Sequence, residues 1–334
     1  MHRRVLVWSC IGIVLMLLAP WFLLQVLPQN QAQFWTANIL GRGIVFGIIA
    51  MSLTFLATYG GFISLAQMMI AGIAGYTVAV FVEGAVPQIV GGFGYAVAIP
   101  LGILAATVMG LVVGAISVRT RDIYLLMITL AIAMGVFRFI ETNIAWFNGY
   151  EGIRNVVGPA VFGFDFRNAY AFYYIVLGTA VALYCGVLYL VRTPFGLVLQ
   201  GIRDNPRRVA ALGYAVGLHR IAAFGIAGFI AGCGGVLATI YNIGISPGSI
   251  GLGATVNVLI MSVIGGLGHP IGAFIGSLIF TVFDTFAASI YDRDRFNTLI
   301  GVVFLVIVLV SPDGIIGVGR RLRKWIGAAD ARRP

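Results

Sequence analysis

The chain is a succession of apolar stretches, most of them long enough to cross a lipid bilayer, separated by short polar or glycine-bearing breaks. About 20 apolar residues in a helix span a hydrocarbon core of ~30 Å. Windows of that kind fall at Val5–Val26, Asn38–Tyr59, Phe62–Val82, Tyr95–Val118, Ile123–Ile140, Tyr170–Val191 and Ile221–Tyr241. Three less regular stretches follow. Asn257–Ile264 is too short to span and ends in Gly265-Gly266-Leu267-Gly268-His269-Pro270, Ile271–Ile290 spans, and Phe296–Val310 closes the set. The short stretch reads as a broken or re-entrant helix. The expectation is an all-α polytopic membrane protein of about ten transmembrane or half-membrane helices.

Composition agrees. Of 334 residues 60% are hydrophobic and 10% charged, with a mean hydropathy of +1.02, against about 25% charged residues in a soluble domain. The net charge of +10 rests almost wholly on arginine, Lys324 being the sole lysine. In such a chain it reflects loops facing anionic headgroups of membrane lipid and not nucleic acid. With the N-terminus placed inside and the spans alternating, 15 of the 21 basic residues fall on the cytoplasmic side: Arg3, Arg4, Arg119, Arg121, Arg192, Arg203, Arg207, Arg208, Arg220, Arg320, Arg321, Arg323, Lys324, Arg332 and Arg333. Both termini are then cytoplasmic, in a bacterial inner membrane. The other six (Arg42, Arg138, Arg154, Arg167, Arg293, Arg295) lie outside or at the outer interface, where Arg138 can pair with Glu141 and Arg293 and Arg295 sit among Asp292 and Asp294. Val5–Val26 lacks a small-x-small cleavage site and reads as a retained first helix.

Glycine is abundant inside the spans. Steps such as Ala106/Gly110/Gly114, Ala227/Ala231/Gly235, Gly228/Gly232 and Gly272/Gly276 let helix backbones approach closely, which is how helices associate where lipid removes the hydrophobic drive. Cys10, Cys185 and Cys233 each lie in an apolar run and read as small packed hydrophobes. No enzyme constellation emerges. His2, His219 and His269 lie near span ends, no HExxH or CxxC occurs, and the carboxylates are scattered, so no catalytic residue, metal or cofactor is expected. The Gly-Lys-Ser/Thr of a nucleotide-binding loop is missing as well, since Lys324 sits between Arg323 and Trp325. Any ATP that drives this chain binds another polypeptide.

The longest inner loop, Arg192–Arg220, carries the most information. Asn205 as N-cap, Pro206 as first helical residue and Gly213 beyond the end delimit a two-turn helix, Pro206–Leu212. A short, capped, arginine-bearing helix tied to spans on both sides suits docking into a groove of a soluble partner; alternatively it is an ordinary basic loop on the membrane surface.

This loop, with its Thr193-Pro194-Phe195-Gly196 start, its Ile202-Arg203 middle and its Ala210-Ala211-Leu212-Gly213 end, resembles the coupling loop of the LivH/LivM-type permeases of branched-chain amino acid ABC importers. Three other regions agree. Gly60-Gly61-Phe62-Ile63-Ser64-Leu65-Ala66-Gln67 with Gly72-Ile73-Ala74-Gly75-Tyr76 is similar to that family's third-span signature, Val263-Ile264-Gly265-Gly266-Leu267-Gly268 to its Gly-Gly-x-Gly break, and Ser311-Pro312-Asp313-Gly314 to its terminal motif. The resemblance implies a type II-like ABC importer permease over residues 37–318, with the first helix and outer loop (1–36) before it and a basic tail (319–334) after. It further implies two ATPase subunits, a second homologous permease and a periplasmic solute-binding protein as partners. Coupling to the ATPase then falls to Arg203, Asp204, Asn205, Pro206, Arg207, Arg208, Ala210, Leu212 and Gly213. At Glu141–Asn155 the chain departs from the family's Thr-Gly-Gly-Ser-x-Gly-Leu, keeping only Gly149 and Gly152 among the bulky Trp146, Phe147 and Tyr150. Urea, short amides and other amino acids therefore stay open as substrates.

Few polar side chains lie within the spans, and each is a site hypothesis. Asp284 is the only carboxylate well inside a span and can line the path, orient a cationic amine, or serve as a buried structural group. Ser64 and Gln67 near the start of the third span, and Thr129 in the fifth, are further candidates for the path or for helix-to-helix hydrogen bonds. A self-contained secondary transporter needs several such ionisable residues, and Asp284 stands nearly alone.

Overall fold

The computed structural model describes residues 2–26, 28–82, 94–120, 122–156, 158, 160–161, 164–165, 168–290 and, singly or in pairs, 301–302, 305, 314 and 317. Helix α1 is His2–Val26 and α2 is Gln29–Gly60. They are followed by α3 (Gln67–Phe81), α4 (Tyr95–Ser117), α5 (Asp122–Thr142) and α6 (Ala169–Arg192). Two short helices, α7 (Pro194–Asp204) and α8 (Pro206–Ala211), lead to α9 (Val216–Tyr241), α10 (Leu252–Gly265) and α11 (Ile271–Ile290). A short helix Ile144–Phe147, the turns Gly149–Glu151 and Pro247–Ile250 and four two-residue strands lie between these helices: β1 (Ile153–Arg154) pairs antiparallel with β4 (Gly244–Ile245), and β2 (Ala160–Val161) with β3 (Phe164–Asp165).

Among the described residues five helices are long and apolar enough to cross a membrane: Gln29–Gly60, Tyr95–Ser117, Ile123–Thr142, Ala169–Arg192 and Val216–Tyr241. Leu15–Val26, Gln67–Phe81, Leu252–Gly265 and Ile271–Phe286 are apolar but shorter. Phe296–Val310 lies outside the described residues.

Several helix starts differ from the sequence expectation, α9 beginning at Val216, five residues before Ile221, and α1 at His2, three before Val5. Helix α2 starts nine residues before Asn38, because Gln29-Asn30-Gln31 extends the helix from Pro28. Helix α3 starts at Gln67 and not at Phe62. The two glycines Gly60 and Gly61 break the backbone there, Gly61 turning left-handed at φ 74° before an irregular Phe62–Ser64. Helix α10 starts five residues before Asn257, directly after the turn Pro247–Ile250. At 14 residues it is about 21 Å long, short of the ~30 Å core, as expected of a half-membrane helix. It ends where Gly266 takes φ 105°, and a turn through Pro270 sends α11 back alongside it.

Two helices form the centre. In α2 and α9 83% and 72% of the apolar window is buried, against 28%, 22% and 28% in α4, α5 and α6, so the latter turn most of their apolar surface outward, as lipid-facing helices do. Helix α9 packs on α4, α3 and α2, and α11 packs on α2 and α10. The α4–α9 contact is as close as the small-residue steps demanded. A Cβ at Gly228 would lie 2.7 Å from the Ala106 carbonyl oxygen, and one at Gly110 2.6 Å from that of Phe224. Cys233 is buried in this packing, but Cys185 lies on the outward face of α6 and is exposed, contrary to its reading as a packed residue.

Candidate functional site

Between α2, α3, α9, α10 and α11 lies a cavity of about 520 Å³, within the range of small-molecule sites. Phe46, Ile49, Met68, Ile245, Met261 and Phe280 form its apolar wall, while Arg42, Thr239, Asn242, Ser249, Asn257 and Asp284 bring polar atoms to it. Arg42 follows a stretch of wide helical turns, Trp35–Gly41, and pairs with Asp284 of α11, Nη2 to Oδ2, at 2.9 Å. Its guanidinium also lies 5.6 Å from the centre of the Phe46 ring. Inside the same stretch of wide turns Asn38 Oδ1 accepts a hydrogen bond from the Tyr241 hydroxyl at 2.8 Å, holding α2 to α9. Wide turns of this kind recur at functional sites. Asp284 is thus not solitary: its partner is Arg42, which the sequence reading placed outside or at the outer interface.

The other residues singled out for a path sit in the packing. Ser64, Gln67 and Thr129 are 0%, 1% and 0% exposed, and none lines this cavity. Thr129 Oγ1 donates to the Leu125 carbonyl at 2.9 Å and accepts from the Leu65 N–H at 3.1 Å, holding the entry to α3 against α5. Ser64 Oγ accepts from the Ala66 N–H, and Ser52 Oγ donates to Gln67 Oε1 at 3.0 Å.

A second assembly occupies the opposite end of α2. Helix α7, which the sequence reading took as loop, buries Gly196, Leu199 and Ile202 at three-residue spacing and exposes Leu197. Gln200 Nε2 donates to the Val191 and Gly196 carbonyls, and the Phe195 ring stacks on His219 at 5.6 Å, so α7 is fixed to α6 and α9. Arg203 pairs with Asp204 at 3.0 Å and its Nη1 donates to the Thr58 carbonyl at 2.6 Å. Thr58 Oγ1 in turn donates to the carbonyl of Leu267, in the turn between α10 and α11. Helix α8 has the expected caps. Asn205 Oδ1 accepts from the Arg208 N–H at 3.1 Å, Pro206 opens the helix, and Gly213 beyond it is left-handed at φ 87°. Only Val209 of α8 is buried; Arg207, Arg208, Ala210, Leu212 and Tyr214 are exposed.

At the cavity end Asn148 and Gly152 are left-handed, Arg138 pairs with Glu141 at 2.6 Å as expected, and Trp146 and Tyr150 project outward. Arg293 and Arg295 lie outside the described residues. Among the described residues no group of three histidine, cysteine or acidic side chains could hold a metal.

Comparison with known proteins supplies the family. Residues 35–309 match the family described as branched-chain amino acid transport system, permease component. The chain belongs to this family. It is a LivH/LivM-type permease, a membrane-spanning transport subunit. A probable branched-chain amino acid transport permease, LivM, of Methanocaldococcus jannaschii is 29% identical over 65% of this chain and 67% of its own length. The high-affinity branched-chain amino acid permease LivM of Escherichia coli is 23% identical over 87% of this chain and 70% of its own. The autoinducer 2 import permease LsrC of Klebsiella pneumoniae is 29% identical over 63% and 60%. No solved structure matches.

Sequence reasoning missed Arg42, Asn257 and Thr239 as cavity residues. For Arg42 a signal was present: it lies four residues inside the apolar run that starts at Asn38, and an ionisable residue there is a site hypothesis by default.

Proposed function

We propose that this permease is the translocating subunit of an ATP-driven, type II-like importer for branched-chain amino acids. Its permease domain runs over about residues 37–318; it assembles with a second homologous permease and two ATPase subunits and receives solute from a binding protein outside. The end bearing α7 and α8 faces the cytoplasm, with both termini.

The observation that carries the reading is the bonded line from Arg203 to Thr58 to Leu267. It joins the exposed corner formed by α7 and α8 to the turn between α10 and α11, the two helices that wall the cavity on one side. A partner that grips Arg207, Arg208 and Leu212 and moves on binding ATP displaces that turn, and with it the cavity wall. Such small shifts become discrete rearrangements because packed helices are bistable and not continuously deformable. The aliphatic and aromatic wall beside a charged pair suits a small amino acid with an apolar side chain.

A second reading follows from the likeness to LsrC, whose name gives autoinducer 2 as its solute. Uptake of radiolabelled leucine by cells with and without this chain, in competition with unlabelled isoleucine, valine and autoinducer 2, tests both. Loss of leucine uptake on deletion, with competition by the aliphatic amino acids alone, is the expected result. Unchanged leucine uptake, or competition by autoinducer 2 alone, overturns the amino-acid reading.

A further inference from the structure

The ion pair in the cavity wall calls for an account of its own. Arg42 and Asp284 are 35% and 28% exposed at the side chain and both line the cavity, so the pair is about one-third open and not sealed in the packing. Each is also undersubscribed. A guanidinium has five N–H donors and a carboxylate two acceptor oxygens, yet among the described residues the two groups share this one ion pair, with Arg42 also resting on the Phe46 ring and within electrostatic reach of Tyr241. With about a third of each side chain open, a solute can reach both groups, and the two charges separate at small cost only where each finds a new partner as the pair opens.

An α-amino acid zwitterion supplies both partners at once. Its carboxylate and ammonium sit a few bonds apart and sum to zero charge, like the pair itself. Exchange of Arg42–Asp284 for Arg42–carboxylate and ammonium–Asp284 leaves no charge unpaired at any stage, whereas a solute with one charge strands either Arg42 or Asp284 in a low-dielectric cavity. Phe46, Ile49 and Met68, in the same cavity, offer an apolar seat for the side chain, and Asn257 on the facing helix adds a neutral polar group. We infer that Arg42 and Asp284 form a head-group subsite, at which Arg42 receives the carboxylate and Asp284 the ammonium of a zwitterionic amino acid as the ion pair opens. This rests on the reading of the chain as an amino-acid permease.

Ligand-observed saturation-transfer NMR on the full-length chain in lipid nanodiscs tests it, with leucine, 4-methylpentanoate (no ammonium) and 3-methylbutylamine (no carboxylate) as probes. The wild type binds leucine at least about tenfold more tightly than either analogue, the difference expected of one charge-assisted hydrogen bond. Asp284→Asn weakens leucine about tenfold and leaves 4-methylpentanoate unchanged or tighter. Arg42→Gln does the same with 3-methylbutylamine as the spared probe. A merely structural pair gives variants that lose all three probes together, and that result overturns the subsite. Equal affinity of the wild type for the three probes overturns it without any variant, which keeps the test open should a variant fail to fold. If cells carrying the wild type import leucine while binding ignores both charges, the subsite alone falls. If the wild type neither imports nor binds leucine, the amino-acid reading falls with it.

Discussion

Gly213 holds the end of α8 in a left-handed turn at φ 87°, where its N–H donates to the Ala210 carbonyl and that of Tyr214 to the Val209 carbonyl. An L side chain in this conformation costs roughly 1–2 kcal/mol, and a β-branched one more. Nothing lies within 4 Å of a Cβ built there, so substitution acts through the backbone alone and not by collision. Gly213→Val is therefore expected to distort the end of α8 and cut leucine uptake severalfold at unchanged membrane abundance, while Gly213→Asn, which tolerates the left-handed region, keeps most of it. Uptake in membrane vesicles, normalised to permease by immunoblot, separates the two; equal uptake by both variants removes the corner from the transport cycle. Arg42 makes a different point at this scale. It is the fourteenth residue of α2, directly after the wide turns Trp35–Gly41, and packing of α2 on α11 brings it within 2.9 Å of Asp284.

Among elements, α7 and α8 divide the labour of the corner: α7 is anchored by Gln200, Phe195 and Arg203, and α8 stands out with its arginines and Leu212 exposed. Reversing charge at Arg207→Glu and Arg208→Glu together should abolish co-purification of the ATPase and uptake, with insertion intact because both residues lie outside the spans; near-normal uptake makes α8 an ordinary surface loop. Thr58→Val probes the link behind the corner. It keeps the shape but removes the donor to Leu267, at a cost on the order of 1–3 kcal/mol for the stranded carbonyl. The assembled importer should then hydrolyse more ATP per leucine moved, at least about twofold, and an unchanged ratio assigns the line no part in coupling. Helix α8 was legible in the sequence because its caps, Asn205, Pro206 and Gly213, are local chemistry. Helix α7 was not, although Pro194 marks its start, because Gly196 and Gly201 dilute its helix propensity and its buried face is set by contact with α6 and α9. The Arg42–Asp284 pair was illegible for a simpler reason. Its partners are far apart in the chain, and only the packing of α2 on α11 brings them together.

At the scale of the molecule, the distribution of charge predicts which end faces which side of the membrane. Arg119, Arg192, Arg203, Arg207, Arg208 and Arg220 cluster at the end that carries α7 and α8, whereas the strand end has Arg138, held by Glu141, and Arg154. Cytoplasmic loops carry the excess of lysine and arginine, so the corner should lie inside, within reach of an ATPase, and Trp146 and Tyr150 outside, within reach of a solute-binding protein. Single cysteines test this in a background stripped of Cys10, Cys185 and Cys233, the second of which is exposed on α6 and has to be removed first. Tyr150→Cys and Leu212→Cys are suited to it because the side chains are 79% and 75% exposed and neither makes a hydrogen bond through its side chain among the described residues. In intact cells a membrane-impermeant maleimide should label position 150 and spare position 212, and permeabilisation should bring 212 to the same level. Labelling of 212 in intact cells inverts the topology and sinks the coupling role of α7 and α8, since ATP is hydrolysed on the inside only. Protection of both positions until permeabilisation places the strand end inside with the corner, which the single pass of α6 between them, at 24 residues and about 36 Å, does not allow, and that result overturns this topology.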